Sequence, residues 1–242
     1  MEVPRLSKSR ILQYCNCPMQ FKLVEVHQVP FTNVYMQDGI WFHDIVNRFF
    51  DYIGEEVNPS RFETILRKLA GERYDIYKLW FDNFIEFEKE RFARLPRNHY
   101  LPKLREVKIV LNGMSGIIDR IDYEPSDGIY VAIDYKTGKM TSIKKHIFEM
   151  TVYAYMFREQ FKKHIPRVAI FSAGDGKFTE MTITEEYIEE MQKVVKQVRE
   201  NVTDEYFPLN PKNCWGCPEN VKALCHTINK EEWINYNQKL SE

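Results

Sequence analysis

Two aspartates and a lysine, Asp119, Asp134 and Lys136, are the residues of this sequence whose types and spacing suggest chemistry. They lie in two predicted strands, Gly116–Tyr123 and Ile129–Lys136, in which apolar and polar residues alternate, and a Pro-Ser-Asp-Gly turn joins the strands. If the hairpin closes symmetrically on that turn, Asp119 stands directly opposite Asp134. Opposed like charges destabilise a sheet, whereas paired carboxylates are good ligands for a hard cation. The hairpin therefore predicts an Mg²⁺ or Mn²⁺ site.

Lys136 follows Asp134 by two residues and shares its face of the strand, so its ammonium could stabilise charge on a phosphate or orient an attacking water. The alternative is a solvated strand face whose acids never meet, or a pairing register displaced by one residue.

Two further residues are candidates for the same site. The strand Arg105–Leu111 ends at Asn112-Gly113, a strong hairpin signal, and closure there places Glu106 opposite Asp119. His43 lies on the apolar face of a predicted helix that begins at Gly39. A histidine in that setting is either a metal ligand or a core residue hydrogen-bonded to the backbone, and a glutamate on an outer strand is often only a surface residue.

The elements after the hairpin complete a predicted α-β-β-β-α-β core. A helix is expected over Lys144–Phe161, with Glu149 and Tyr153 on one face, and Tyr153 could equally be a core aromatic. The remaining predicted elements are the strands Arg167–Ser172 and Lys177–Thr184 and the helix Glu185–Glu200. Residues 54–98 are predicted to be a helical insertion whose aromatic residues pack it onto the body of the protein.

The motif Gly116-Ile-Ile-Asp119-Arg-Ile-Asp122 followed by Asp134-Tyr-Lys136-Thr-Gly138 resembles the PD-(D/E)XK nuclease signature in its RecB-type form. The most similar groups are the CRISPR-associated RecB-like exonucleases and the AddB nuclease domain. This resemblance implies an α/β (α+β) fold with a central mixed sheet flanked by helices. It also implies metal-dependent cleavage of DNA phosphodiesters.

The resemblance also implies roles for individual residues. His43, Asp119, Asp134 and the Tyr135 carbonyl would bind the metal, and Lys136 would position the nucleophilic water or stabilise the transition state. The related nucleases carry Gln-x-x-x-Tyr on the following helix, where this chain has Glu149-x-x-x-Tyr153. A carboxylate cannot donate the hydrogen bond that the amide donates, so this position departs from the pattern.

Five cysteines form two groups, Cys15 and Cys17 near one end and Cys214, Cys217 and Cys225 near the other. In a cytosolic protein this spacing favours a metal over disulfides, either zinc, with His226 or Cys17 as fourth ligand, or an iron–sulfur cluster. The resemblance implies a [4Fe–4S] cluster on Cys17, which precedes a proline, and the three later cysteines. Residues 1–24 and 205–230 would then be the cluster-binding ends of a single nuclease domain over 1–242, although the last cysteine gap is longer than in the related proteins.

Length and composition fit an ordinary globular enzyme. The chain has 242 residues and a net charge of −1, so contact with nucleic acid requires local basic patches rather than bulk charge. The candidate patches are Lys103-Arg105-Lys108, Lys136-Lys139-Lys144-Lys145 and Lys162-Lys163-Arg167, of which the second adjoins the predicted site. No apolar run approaches the roughly 20 residues of a membrane span, and no secretory signal is present, so a cytoplasmic location is expected, or the host cytoplasm for a viral protein.

Three functional hypotheses follow. The first is a metal-dependent DNA nuclease, an exonuclease on single-stranded DNA or DNA ends, with DNA and a helicase or CRISPR or recombination proteins as partners. The second is a nuclease-fold DNA-binding or assembly subunit without turnover. The third is a zinc-stabilised interaction domain whose acids are surface residues.

Overall fold

The structure is a computed structural model that describes residues 3–30, 34–54, 57–140 and 142–233. Its contacts divide the chain into two units. The sheet unit comprises Tyr35–Leu111 and Gly116–Ile188, and the terminal unit comprises Met1–Val34, Asn112–Ser115 and Glu189–Glu242. The prediction of a single domain over the whole chain stays a prediction.

The sheet unit contains a mixed sheet built around the predicted hairpin. Its strands are β2 (Leu104–Leu111), β3 (Met114–Glu124, which begins in the terminal unit), β4 (Ile129–Lys136), β5 (Arg167–Ser172) and β6 (Lys177–Thr182). They lie in the order β2-β3-β4-β5-β6, with β3–β4 and β5–β6 antiparallel and β4–β5 parallel. The last strand ends two residues before its predicted end at Thr184.

The hairpin closes in the predicted register. Arg120 pairs with Ile133 and Ile121 with Ala132, as a four-residue connection requires. Gly128 in that connection has a φ of +68°, which a side chain would disfavour. Residues of opposite hairpin strands that pair share one face of the sheet, so the register places the Asp119 and Asp134 positions on the same face.

Helices flank the sheet, as predicted for this fold. Those of the sheet unit are α3 (Val34–Tyr52, whose first residue belongs to the terminal unit), α4 (Phe62–Ala70), α5 (Arg73–Ile76), α6 (Lys78–Arg94), α7 (Arg97–Tyr100) and α8 (Ile147–Phe161). Helix α8 contacts β2, β4 and β5, and a 3₁₀ turn over Ile143–His146 leads into it. The first turn of the helix predicted from Lys144 is therefore 3₁₀ rather than α.

Much of the core of the sheet unit comes from the segment predicted as an insertion. Phe81, Phe84 and Phe87 of α6 are buried in one cluster with residues of α3, α4, β4 and β5. The Phe87 and Phe171 rings stack with centroids 4.6 Å apart. Since each buried aromatic side chain removes some 150–250 Å² from water, this segment is integral to the folded sheet unit.

The terminal unit joins segments from both halves of the chain. It contains β1 (Leu6–Ser7), α1 (Lys8–Asn16), α2 (Pro18–Phe21), a π-helix (Lys22–Val26), most of α9 (Glu185–Thr203), a 3₁₀ helix (Pro211–Gly216) and α10 (Glu219–Ile228). Strand β1 pairs in parallel with Met114 and Ser115. Helices α1 and α2 are separated at Cys17, which is extended because a residue before proline avoids the helical conformation. Within the described ranges, no helix is long and apolar enough to span a membrane.

Candidate functional site

The predicted pair of aspartates lies where β3 and β4 separate. Asp119 is 8% exposed and Asp134 only 2% exposed. The hairpin ladder runs to Arg120 and Ile133, and one residue further the Asp119 Oδ2 atom accepts a hydrogen bond from the Tyr135 N–H at 2.8 Å. The Asp119 side chain thus accepts a backbone hydrogen bond that would otherwise belong to the β3–β4 ladder. This bond directs the Asp119 carboxylate toward β4.

His43 and Glu106 join Asp119 in a compact group of possible ligand atoms. One ligand atom of each lies within 4.8 Å of the others, and the His43 Nδ1 atom is 3.4 Å from Asp119 Oδ2. Helix α3 supplies the histidine. Glu106 has a φ of +47° within β2, a left-handed backbone conformation that interrupts the regular strand. The predicted proximity of Glu106 and Asp119 is therefore present, although the strand that carries Glu106 is irregular.

The group concentrates negative charge. Burial alone would lower the pKa of His43, but the hydrogen bond to Asp119 and the charges of Asp119, Asp134 and Glu106 outweigh it and raise the pKa. Burial and the neighbouring Asp119 charge raise the pKa of Glu106. Carboxylates with an imidazole form a donor set that suits Mg²⁺ or Mn²⁺, and a cation there would relieve the repulsion between the acids. The residues present therefore fit a divalent metal.

Lys136 contacts two carboxylates at once. Its Nζ atom lies 2.8 Å from Asp134 Oδ2 and 3.1 Å from Glu149 Oε2. The same Glu149 oxygen is 3.4 Å from the Nδ1 atom of His146, at the end of the 3₁₀ turn before α8. Sequence reasoning did not identify His146, although its spacing of three residues from Glu149 is a signal for contact across a helical turn.

Tyr153 lies against the same site from α8. It is 3% exposed, and burial together with the charges of Asp134 and Asp119 raises the pKa of its hydroxyl. A Cβ atom at Gly116 would lie 3.4 Å from the Tyr153 ring, so the glycine of β3 permits this close packing. Tyr153 is thus both a buried aromatic and a neighbour of the acids.

The backbone that follows Lys136 is held by a second close approach. A Cβ atom at Gly174 would lie only 2.7 Å from the Thr137 carbonyl oxygen. Real Cβ atoms do not come so near, so glycine at this position lets the turn after β5 support the end of β4.

Four cysteines line one small cavity in the terminal unit. They are Cys17, Cys214, Cys217 and Cys225, and His226 lines the same cavity. All are free thiols, and Cys15 is exposed and does not line the cavity. Burial raises the pKa of the Cys217 thiol to about 11, and the charges of Cys17, Cys214 and Cys225 add to this effect. Cys17 rather than Cys15 lies beside the three later cysteines, and its role as a ligand stays a prediction.

The cysteine cavity offers two donor sets. Four converging thiols suit an iron–sulfur cluster or zinc. The His226 Nε2 atom is buried and has no hydrogen-bond partner among the described residues, so a set of three thiols and one imidazole is also available for zinc. The residue types suit a thiophilic metal group, although among the described residues no three of these ligand atoms lie within 4.8 Å of one another, and both donor sets stay predictions.

Comparison with known proteins decides the family. The model of the PD-(D/E)XK nuclease superfamily matches residues 5–226. The chain belongs to the PD-(D/E)XK nuclease superfamily. The members of this superfamily are hydrolytic nucleases that use divalent metals, and His43, Glu106 and Asp119 form a group that could hold such a metal.

Other comparisons are more distant. A solved structure of a protein from Eubacterium rectale, provisionally named an exonuclease, is 14% identical, with a TM-score of 0.49, and the match covers 84% of this chain and 82% of that one. A search of curated proteins gives no significant match. The match of the family model over residues 5–226 confirms the predicted superfamily, whereas the RecB-type, CRISPR-associated and AddB resemblances stay predictions.

Proposed function

We propose that this PD-(D/E)XK protein is an Mg²⁺- or Mn²⁺-dependent deoxyribonuclease that acts as an exonuclease on single-stranded DNA or DNA ends. The observation that carries the proposal is the convergence of His43, Asp119, Asp134 and Lys136 at the place where β3 and β4 separate. Burying two acids next to a lysine destabilises a fold, but the acids are suited to a cation and the lysine is suited to a phosphate.

Each residue has a distinct role in the proposed reaction. Hydrolysis adds water across a phosphodiester bond. The oxygen of the water bonds to phosphorus, the bond from phosphorus to the leaving sugar oxygen breaks, and that oxygen gains a proton. Asp119, Asp134, His43 and the Tyr135 carbonyl would hold the cation, with Glu106 as a further acidic contact. When bound, the cation would stabilise the charge that develops on the phosphoryl oxygens.

The ammonium of Lys136 is the donor available for the substrate or the attacking water. Contact with two carboxylates favours its charged form and restricts a flexible side chain to one region of the site. Lys139, Lys144 and Lys145 are exposed in the segment that follows β4, where they could contact DNA phosphates. Glu149 would hold Lys136, and Tyr153 would pack beside the acids.

The first experiment measures DNA cleavage by the purified protein with Mg²⁺, with Mn²⁺ and with a chelator. We expect Asp119→Asn, Asp134→Asn and Lys136→Ala each to lower kcat by about a hundredfold or more while the circular dichroism spectrum is retained. Asp204→Asn, an exposed aspartate of the terminal unit, is the matched control. Linear DNA should be degraded while covalently closed circles stay intact.

Other outcomes identify the other hypotheses. Undiminished cleavage by Asp134→Asn would exclude the proposed site. Metal-dependent DNA binding without cleavage would favour the DNA-binding subunit, and absence of both would favour the interaction domain.

For the terminal unit we propose a [4Fe–4S] cluster on Cys17, Cys214, Cys217 and Cys225, with zinc as the alternative. The convergence of four buried or half-buried thiols supports this assignment, since thiolates are the ligands such clusters require. The proposed role is structural, because the ligands come from chain segments that are far apart in sequence.

A further inference from the structure

His146 makes a contact that no motif assigns to it. Its Nδ1 atom lies 3.4 Å from Glu149 Oε2, and this oxygen is also 3.1 Å from Lys136 Nζ. Lys136 in turn contacts Asp134 at 2.8 Å. The four side chains therefore form one continuous series of polar contacts that ends at a proposed metal ligand.

The two carboxylates of this series are more buried than the lysine and the histidine. Asp134 is 2% exposed and Glu149 17%, whereas Lys136 and His146 are 29% and 28% exposed. The lysine is thus open on one side, where a substrate would meet it, and its carboxylate partners lie on the more buried side. A lysine has four rotatable side-chain bonds, so contacts with carboxylates restrict where its ammonium is placed.

The histidine contacts one of those partners, Glu149. A glutamate side chain also has several rotamers, and Glu149 lies in the first turn of α8, one turn after His146. A hydrogen bond to the carboxylate requires a proton on Nδ1, and it fixes Glu149 Oε2 toward the lysine.

We propose that His146 is a positioning residue that orients Glu149, and that Glu149 thereby holds the Lys136 ammonium in place for the reaction. The catalytic consequence rests on the proposed nuclease function. Asp134 would serve both the cation and the lysine, and the contact with Glu149 gives Lys136 a second carboxylate partner. In this arrangement Glu149 accepts hydrogen bonds from both His146 and Lys136, which accounts for a glutamate at this position of α8.

A double-mutant cycle tests this role. We expect His146→Ala to lower kcat about tenfold with little change in KM, because a small displacement of a catalytic group is sufficient for such a loss. His146→Asn should restore most of the activity, since the asparagine amide can occupy the position of Nδ1. In the Glu149→Ala background, His146→Ala should cause no further loss. His164→Ala, an exposed histidine after α8, is the matched control.

The cycle separates positioning from direct action. If His146→Ala lowers kcat equally in both backgrounds, and His146→Asn does not rescue it, the imidazole acts on the substrate itself and the positioning role is wrong. Unchanged kcat in His146→Ala would also overturn it.

Crystal structures provide a measurement that does not depend on activity. The contact between Lys136 Nζ and Glu149 Oε2 should persist in His146→Asn and be lost in His146→Ala. Its persistence in His146→Ala would contradict the inference. If the wild-type protein does not cleave DNA, the proposed function fails, and the crystal structures still decide whether His146 positions Glu149.

Discussion

At the scale of single residues, Glu106 combines an unfavourable backbone conformation with a neighbouring carboxylate. Its φ of +47° is unfavourable for a residue with a side chain, and its carboxylate lies next to that of Asp119. Burial and the Asp119 charge raise its pKa, which means that the charged form is destabilised in the folded protein. An arrangement that costs stability in the absence of a ligand is expected where a cation binds.

Glu106→Gln should therefore separate stability from metal binding. Without metal, we expect the variant to melt at or above the wild-type temperature, because the substitution removes one of the repelling charges. A gain of 1 kcal/mol would raise Tm by roughly 2–4 °C in a protein of this size. With saturating Mn²⁺, the metal-induced increase in Tm should be smaller than in wild type, since one ligand is weakened.

Thermal melting with and without Mn²⁺ measures both the metal-free Tm and the metal-induced increase in Tm. Glu72→Gln, which neutralises an exposed glutamate of the sheet unit outside this group, is a control for the same change of charge without a change of ligand. A lower metal-free Tm with an unchanged metal response would show that Glu106 is structural and does not contact the cation.

At the scale of secondary-structure elements, a buried ring of charges joins α6 to β3. Arg120 donates to Glu88 at 2.5 Å and to Asp122 at 2.7 Å, and Arg91 bridges the same two acids at 2.7 and 2.6 Å. The ring contains two positive and two negative side chains, and Arg120 and Glu88 are fully buried. Arg120 also lies 3.1 Å from the Tyr135 hydroxyl, so the ring supports the part of β4 between Asp134 and Lys136.

Arg120→Met should be strongly destabilising. It would leave Glu88 and Asp122 buried with one arginine between them, and breaking a buried ion pair typically costs about 3–5 kcal/mol. The matched control is Arg94→Met, which removes an exposed contact with Glu124 and should cost less than about 1 kcal/mol.

Equilibrium unfolding in urea measures both values. A loss for Arg120→Met no greater than that for Arg94→Met would mean that the charged ring contributes little net stability.

The same elements show what sequence can predict. The hairpin and its register were predictable because the alternation and the Pro-Ser-Asp-Gly turn act locally. The break at Cys17 was predictable from Pro18 for the same reason. The charged ring was not, since Glu88 and Arg120 are 32 residues apart and meet only through tertiary packing. The left-handed Glu106 likewise depends on neighbours that no local pattern reveals. The contact of His146 with Glu149 is local, and its i,i+3 spacing could have predicted it.

At the scale of the whole molecule, the described residues of each unit include a group of possible metal ligands. The acids belong to the sheet unit and the cysteines to the terminal unit. Cys17 and Cys225 are separated by 225 − 17 = 208 positions in the chain. A crosslink that closes so long a loop restricts the unfolded state, by on the order of 5 kcal/mol in a chain-entropy model, so a metal group there is expected to stabilise the fold.

Protein purified without oxygen should therefore be brown and contain iron and sulfide rather than zinc. We expect Cys217→Ala to lose the colour and to melt at a lower temperature, because the free energy of metal binding is partly free energy of folding. Cys15→Ala is the matched control, since this exposed cysteine does not line the cavity, and its colour and Tm should equal those of wild type. Visible absorption, metal analysis and melting curves supply the measurements.

Each contrary result points to a different ligand set. A colourless protein with one equivalent of zinc would overturn the cluster, and His226→Gln would then show whether the imidazole is the fourth zinc ligand, as its buried Nε2 atom allows. Loss of colour in Cys15→Ala but not in Cys17→Ala would mean that the N-terminal ligand is Cys15.

Because the acids are residues of the sheet unit, DNA cleavage in refolded or zinc-loaded protein would still depend on Asp119, Asp134 and Lys136. Cleavage assays therefore test the nuclease proposal, and colour and metal content test the cluster proposal.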